Sequence, residues 1–160
     1  MKLTLYRMAT SLGGPLIRYY LSKRLKQGKE DAERFPERLG IASLPRPKGE
    51  VVWIHCASVG ESLSVLPLID RMLHDCPKLS VLVTTGTVTS ARLMIERLPH
   101  RAMHQFVPVD RVSYIRRFLE HWQPNLGLWV ESEFWPNLVI ETRARGVPMV
   151  LLNGRMSQNS

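Results

Sequence analysis

Beyond residue 50, short apolar runs alternate regularly with segments in which apolar residues recur at helical spacing. The runs, rich in β-branched residues, span 51–55, 80–84, 104–107, 126–131 and 147–152, and the helix-like segments span about 62–76, 88–98, 111–121 and 134–145. Apolar strands that alternate with helices are typical of βαβ units, whose helices cover both faces of a parallel sheet. The sequence therefore predicts an α/β fold with a Rossmann-like parallel sheet and helices on both faces.

Each predicted strand is followed by a polar stretch. In chain order these stretches are CASVGE, TTGT, PVD, ESEFWPN and NGRMS. The carboxyl ends of parallel strands meet at one edge of the sheet, where open α/β sheets bind ligands, so we expect a site there. The stretches SVGES and TTGTVTS lack the glycine patterns that bind dinucleotides or ATP. We therefore expect no cofactor.

Positive charge is concentrated in residues 1–29. This segment carries seven basic side chains and no acidic one, in a chain whose net charge is +8. Apolar and aromatic residues are mixed with these cations, and Gly13-Gly14-Pro15 keeps the apolar runs below the roughly 20 residues that a membrane-spanning helix needs. The pattern favours a basic amphipathic arm that lies in the interface of an anionic membrane.

Two other interpretations of this arm remain open. A basic helix of this kind also packs on its own domain and leaves its cations in solvent. Basic arms bind nucleic acid as well, but no recognition motif accompanies this one, so nucleic-acid binding ranks last and we expect no nucleic-acid partner.

The domain organisation follows from the prolines and from the strand pattern. Residues 30–49 are polar and contain three prolines, so we expect an arm over 1–29, a connector over 30–49 and a domain over 50–160. The two cysteines form no CxxC pair, which favours a reducing, cytoplasmic setting. His100 and His104 follow Pro99 and do not share a helical face, so we expect both at the surface or at a strand edge and no metal site.

Glu61 has two possible roles. It follows the first strand and a glycine, at a point where a helix should begin, and a carboxylate there stabilises the N-terminal amides of the helix. The same placement suits a proton acceptor at the mouth of a site. Ser58 and Gly60 form the turn that presents Glu61, and the backbone amides of that turn are suited to an anionic group of a substrate.

A second pair of carboxylates, Glu131 and Glu133, follows the fourth strand. On an extended backbone, residues two apart point to the same side, so both are expected to face the ligand edge. We expect Glu133 to cap the helix that begins near Phe134. We expect Trp135 to lie in the core rather than to serve as a platform for a sugar.

Taken together, these stretches make the chain similar to the N-terminal half of the Kdo transferases, which attach 3-deoxy-D-manno-octulosonic acid (Kdo) to the lipid A precursor (lipid IVA). The matching stretches are ERFPERLG at 33–40, RPKGEVVWIHCASVGES at 46–62, VLVTTGTVTSARL at 81–93, VPVD at 107–110, RFLEHWQPNLGLWVESEFWPNLV at 117–139 and LLNGRMS at 151–157. HCASVGE and VESEFWPNL at this separation are the most specific part.

The resemblance implies the N-terminal domain of a GT-B glycosyltransferase, which handles the lipid acceptor. The C-terminal domain, which binds the CMP-Kdo donor, is expected to be absent from this chain. The family pattern makes Glu61 the general base and Glu131 a transition-state stabiliser. From their positions at strand ends, we expect Ser58, Gly60 and Arg155 to bind the substrate. Arg155 is suited to clamp a phosphate or carboxylate of the acceptor, and a solvated surface arginine is the alternative for it. It also implies lipopolysaccharide core biosynthesis at the cytoplasmic face of the inner membrane, with the protein bound peripherally or anchored by its N-terminus.

Two alternatives compete with this function. The chain fits a catalytically silent α/β module that binds a membrane and recruits a partner. It also fits a related GT-B transferase that uses another sugar nucleotide.

Overall fold

Five parallel strands form one sheet in the order β3-β2-β1-β4-β5. The computed structural model describes residues 2–131 and 134–153. The strands are β1 (Glu50–His55), β2 (Leu79–Thr85), β3 (Ala102–Phe106), β4 (Leu126–Val130) and β5 (Met149–Leu152). All five predicted strands are present and all pairs are parallel, which confirms the predicted sheet. The strand order reverses between β1 and β4, so the crevice that such sheets use for ligands lies between their carboxyl ends.

Seven α-helices and one 3-10 helix lie in the described residues. They are α1 (Lys2–Leu12), α2 (Gly14–Lys26), the 3-10 helix (Phe35–Leu39), α3 (Val59–Ser64), α4 (Leu66–Asp75), α5 (Val88–Arg97), α6 (Val112–Trp122) and α7 (Pro136–Ala144). The predicted helix over 62–76 is two helices, because Pro67 has no amide hydrogen to continue the first helix and lies in the first turn of α4.

The sheet has an apolar core on each face. Successive residues of a strand point to opposite faces, so Val52 and Ile54 join one core while Val51 and Trp53 join the other. Side chains of α4 and α5 complete the first core, and side chains of α6 and α7 complete the second. The prediction of helices on both faces is therefore confirmed.

The connector (residues 30–49) covers β3 at one edge of the sheet. Glu37 is fully buried there, and its carboxylate accepts hydrogen bonds from both Arg34 and the backbone amide of Phe106, the latter at 2.7 Å. His104 was expected at the surface or at a strand edge. It lies on the edge strand but is buried, because Arg34 of the connector donates to its Nδ1 atom and its Nε2 atom contacts Thr85.

The arm (residues 1–29) packs on the domain, as one of the open interpretations held. Arg7 pairs with the buried Glu141 at 2.6 Å, and Arg111 donates to the carbonyl of Ser11 at 3.1 Å. The break between α1 and α2 falls at Gly13, where the glycine-proline sequence predicts it. Across residues 2–131 and 134–153, none of the helices combines the length and the apolarity needed to cross a bilayer.

Candidate functional site

The turn after β1 holds Glu61 in a capping arrangement. Ser58 is the N-cap of α3, and its hydroxyl accepts a hydrogen bond from the amide of Glu61 at 3.2 Å. The Glu61 carboxylate reaches back and accepts from the amide of Ala57 at 2.7 Å, a variant of the capping box. Gly60 lies in the first turn of this helix. The contacts fix a mostly buried carboxylate at the carboxyl-end edge of the sheet.

Two other ionisable groups at the end of β1, the thiol of Cys56 and the imidazole of His55, are unreactive because they are buried. Burial, together with the nearby Glu61 charge, raises the pKa of the Cys56 thiol to about 12, so it is not a nucleophile at neutral pH. Burial lowers the pKa of His55 to about 4, and its Nδ1 atom lies 3.0 Å from the hydroxyl of Thr84. Neither group competes with Glu61 as a proton acceptor for a substrate, because both are buried in the sheet core.

The turn after β2 is also a helix cap. The Thr87 hydroxyl accepts from the amide of Ser90 at 3.1 Å, at the start of α5. Thr84 is fully buried and accepts from the indole of Trp53 at 2.8 Å. The described contacts of TTGT are therefore those of a strand end followed by a helix cap.

Glu131 follows β4. This strand pairs with β1, and Trp129 of β4 lies opposite His55 of β1. Glu61 and Glu131 thus follow adjacent central strands, on either side of the switch in strand order. The backbone of Glu131 is left-handed, with φ 61°, and its amide donates to the carbonyl of Leu152 at 2.9 Å. The expectation of an extended backbone at this residue was wrong. Such a conformation is strained for a residue other than glycine and is found often at functional sites.

Some predicted site residues cannot be placed. Glu133 and Arg155 lie outside the described residues, as does Ser132. The amides that open α7 are bound by Asp110, whose carboxylate accepts from Asn137 at 3.1 Å and from Leu138 at 2.9 Å.

Sequence reasoning missed Asp110. It belongs to the VPVD stretch after β3, and a carboxylate at a strand end is a general signal for a helix N-terminus. The first amide of α7 that it binds, however, is that of Asn137, 27 positions further along the chain. Only the fold identifies that partner.

A cavity of about 450 Å³ lies between the arm and the strand-end turns. Trp135 lines this cavity and is 42% exposed, so the expectation that it belongs to the core was wrong. Trp135 is the N-cap residue of α7, and the buried residues of that helix begin at Asn137. The lining also includes Ala57, whose amide holds Glu61, and Thr87 and Asp110 from the next two strand ends. With Trp135, which belongs to the stretch after β4, the cavity therefore joins four of the five strand-end stretches.

No group of three or more His, Cys, Asp or Glu side chains suited to a metal ion occurs within the described part of the chain.

Comparison with known proteins gives a consistent result. A family model described as 3-deoxy-D-manno-octulosonic-acid transferase (kdotransferase) matches residues 33–160. A protein of Arabidopsis thaliana named "Probable 3-deoxy-D-manno-octulosonic acid transferase, mitochondrial" is 39% identical over 156 residues, which cover 98% of this chain and 35% of that protein.

Two bacterial relatives carry the name 3-deoxy-D-manno-octulosonic acid transferase. The protein of Rickettsia bellii is 38% identical, with 98% of this chain and 37% of the relative covered. The protein of Haemophilus influenzae is 34% identical, with 91% of this chain and 34% of the relative covered. The chain spans about a third of the length of the curated relatives it matches.

Proposed function

Because the chain belongs to the 3-deoxy-D-manno-octulosonic-acid transferase family, we propose that it forms the acceptor half of an enzyme that transfers Kdo from CMP-Kdo to the lipid A precursor. Residues 50–160 are then the acceptor domain, and a C-terminal domain beyond this chain binds the donor. The reaction belongs to lipopolysaccharide biosynthesis.

The transfer needs a base. A hydroxyl oxygen of the acceptor forms a bond to the anomeric carbon of Kdo, the bond from that carbon to the CMP phosphate breaks, and CMP leaves. The hydroxyl proton must go to an acceptor group as the new bond forms. We assign that role to Glu61, whose carboxylate is held by Ala57 beside the cavity.

Glu131 is proposed as the stabiliser of the transition state. The support is its place after β4, next to the strand that precedes Glu61, and its left-handed backbone. Ser58, Gly60 and Arg155 are proposed to bind the acceptor. Ser58 and Gly60 would act through the backbone of the turn, because the Ser58 hydroxyl already accepts a bond from the Glu61 amide.

The arm is proposed to hold the enzyme at the cytoplasmic face of the inner membrane, as a peripheral or N-terminally anchored protein. It packs on the domain with one side and exposes large apolar side chains on the other, among them Leu12 and Leu16. Exposed cations of α2, such as Arg18 and Lys23, accompany them. Apolar side chains enter the acyl boundary while cations meet anionic head groups.

A second candidate is the catalytically silent membrane-binding module. The observation that favours it is the capping contact of Glu61, which gives this carboxylate a structural role in the described chain. The two candidate functions predict different effects when the charge of Glu61 is removed.

The test is Glu61→Gln in the enzyme that includes the donor-binding domain. Glutamine keeps a carbonyl oxygen for the Ala57 amide, so the melting temperature should stay near that of the parent. Turnover should fall by roughly a hundredfold or more, because the amide is not a base. Glu50→Gln, at the exposed start of β1, is the matched control. A lower melting temperature with intact turnover would make Glu61 a cap only.

A further inference from the structure

The cavity beside Glu61 has one wall from the arm and one from the domain. Tyr20 and Arg24 of α2 line the first wall, and Thr87 and Trp135 line the second. The arm is therefore part of the boundary of this cavity, in addition to carrying the exposed apolar surface proposed to meet the membrane.

The cavity ends at the turn that holds the proposed base. Ala57 is part of its lining, and the Ala57 amide donates to the Glu61 carboxylate at 2.7 Å. A molecule in the cavity would thus lie next to this turn.

The lining suits a phosphorylated sugar. Tyr20 and Trp135 bring exposed aromatic rings from opposite walls, and such rings pack on the apolar C–H faces of a sugar ring. Arg24 and Arg38 bring guanidinium groups, which bind phosphate oxygens well.

The charged side chains that line the cavity each have partners within the protein. The guanidinium Nε atoms of Arg24 and Arg38 lie 2.6 and 3.3 Å from the buried carboxylate of Glu30. The carboxylate of Asp110, at the domain wall, accepts hydrogen bonds from Tyr6 and from two backbone amides of α7. The guanidinium carbon of Arg24 also lies 5.9 Å from the centroid of the Tyr20 ring. These contacts hold the walls in place, and the side chains of Tyr20 and Trp135 remain 58% and 42% exposed.

We propose that the arm supplies one wall of the acceptor-binding site, and that the cavity binds a sugar phosphate of the acceptor against Tyr20 and Trp135. This inference rests on the proposed function and assigns the arm a role in substrate binding that needs no membrane.

The chain offers a matched control on each wall. Tyr19 is exposed on the same helix as Tyr20, and both line a separate groove along α2, but only Tyr20 also lines the cavity. Phe134 is exposed beside Trp135 but lines a groove next to β5. Each pair therefore compares neighbouring aromatic residues of similar exposure that differ in whether they face the cavity.

The experiment measures binding of an acyl-free acceptor, which keeps the sugar phosphate and lacks the acyl chains, to the 160-residue chain without lipid. Calorimetry should show that Tyr20→Ala and Trp135→Ala each raise Kd about tenfold, while Tyr19→Ala and Phe134→Ala change it less than twofold. Tyr20→Phe should bind like the parent, because it keeps the ring. Circular dichroism of each variant checks that it is folded.

Several outcomes would overturn the proposal. Parent-like binding by Tyr20→Ala would remove the arm from the site, and equal losses in Tyr19→Ala would mean that α2 as a whole, rather than the cavity, is responsible. Binding of inorganic phosphate as tight as that of the acyl-free acceptor would reduce the site to an anion site without sugar recognition.

The turnover of Glu61→Gln separates this inference from the proposed function. Weak binding by the cavity variants with unchanged turnover in Glu61→Gln supports the site while it refutes the base. Loss of turnover in Glu61→Gln with parent-like binding by the cavity variants does the reverse.

Discussion

The phenol hydroxyl of Tyr6 donates a hydrogen bond of 2.7 Å to the carboxylate of Asp110, 104 positions further along the chain. The same carboxylate binds the first free amides of α7, those of Asn137 and Leu138. Burial, followed by the Asp110 contact, raises the pKa of Tyr6, so the phenol keeps its proton and remains a donor. One carboxylate therefore connects the arm, the end of β3 and the helix that follows the loop of Glu131.

Tyr6→Phe should loosen the arm and leave the domain folded. The substitution removes only the hydroxyl, whose hydrogen bond to the charged and buried Asp110 is worth about 1.5–3 kcal/mol. Hydrogen exchange should be faster in the amides of α1, with little change in the sheet. Tyr19→Phe, which removes an exposed hydroxyl of α2, is the control. Unchanged exchange in α1 would show that the other arm contacts suffice.

Leu12→Glu and Leu16→Glu should weaken binding to vesicles that contain anionic lipid. Both side chains are more than two-thirds exposed, at 78% and 72%, so the substitutions remove no core packing. Each adds a negative charge and removes an apolar group from the surface proposed to meet the bilayer. Co-sedimentation should show weaker binding still at high salt. Ile95→Glu, on the exposed side of α5, is the control, and an equal loss in that variant would contradict a specific role for the arm.

Stability should fall as the pH drops from about 6.5 toward 4. Burial lowers the pKa of His55 to about 4, and burial together with Arg34 lowers the pKa of His104 to about 3. Between the unfolded value of 6.5 and these folded values, the unfolded chain binds protons that the native chain does not, so unfolding is favoured as pH falls. Each histidine contributes at most about 1.4 kcal/mol per pH unit in that window.

Urea denaturation between pH 4.5 and 7.5 measures this slope. His104→Gln should reduce it, because one of the two buried imidazoles is gone, while the exposed His74→Gln should not. Above pH 7 the histidines should contribute no slope, since both states are neutral there. A flat profile below pH 6.5 would contradict neutral buried imidazoles.

Gly40→Ala should be far more damaging than Gly28→Ala. Both residues have a left-handed backbone, with φ of 77° and 67°, which costs a residue with a Cβ about 1–2 kcal/mol. A Cβ on Gly40 would also lie 2.0 Å from the carbonyl oxygen of Tyr114 in α6, whereas a Cβ on Gly28 would meet nothing within 4 Å. We expect a loss of about 2–5 kcal/mol for Gly40→Ala by urea denaturation. Equal losses in the two variants would mean that the connector shifts away from α6 at no cost.

Much of the fold was predictable because its signals are local. The period of the apolar residues locates the strands and helices, and Pro67 and Gly13 mark where helices begin or break. The pattern over 62–76 predicts one helix, whereas the structure has α3 and α4 on either side of Val65. A proline within a helical pattern either kinks or ends the helix, and local periodicity does not report which.

The sequence predicted the edge of the sheet at which the candidate site lies, but it predicted less well the contacts and conformations of the residues there. Glu61 and Glu131 follow strands that the pattern identifies, and parallel strands bring their carboxyl ends together. Trp135 was misplaced because its exposure depends on where the arm and α7 lie. The left-handed backbone of Glu131 was missed because it is set by the end of the β4–β5 pairing, where its amide meets Leu152.

The sequence by itself determined the α/β class, the positions of the strands and the placement of Glu61 at a helix start. These depend on side-chain period and on the residues next to one another in the chain. Only the tertiary structure decided that Asp110 caps α7, that the connector buries His104 and that the arm closes a cavity beside Glu61. These features bring together residues that are far apart in sequence. They form only when the crossovers of the sheet place distant elements side by side and bring buried polar groups within hydrogen-bonding distance.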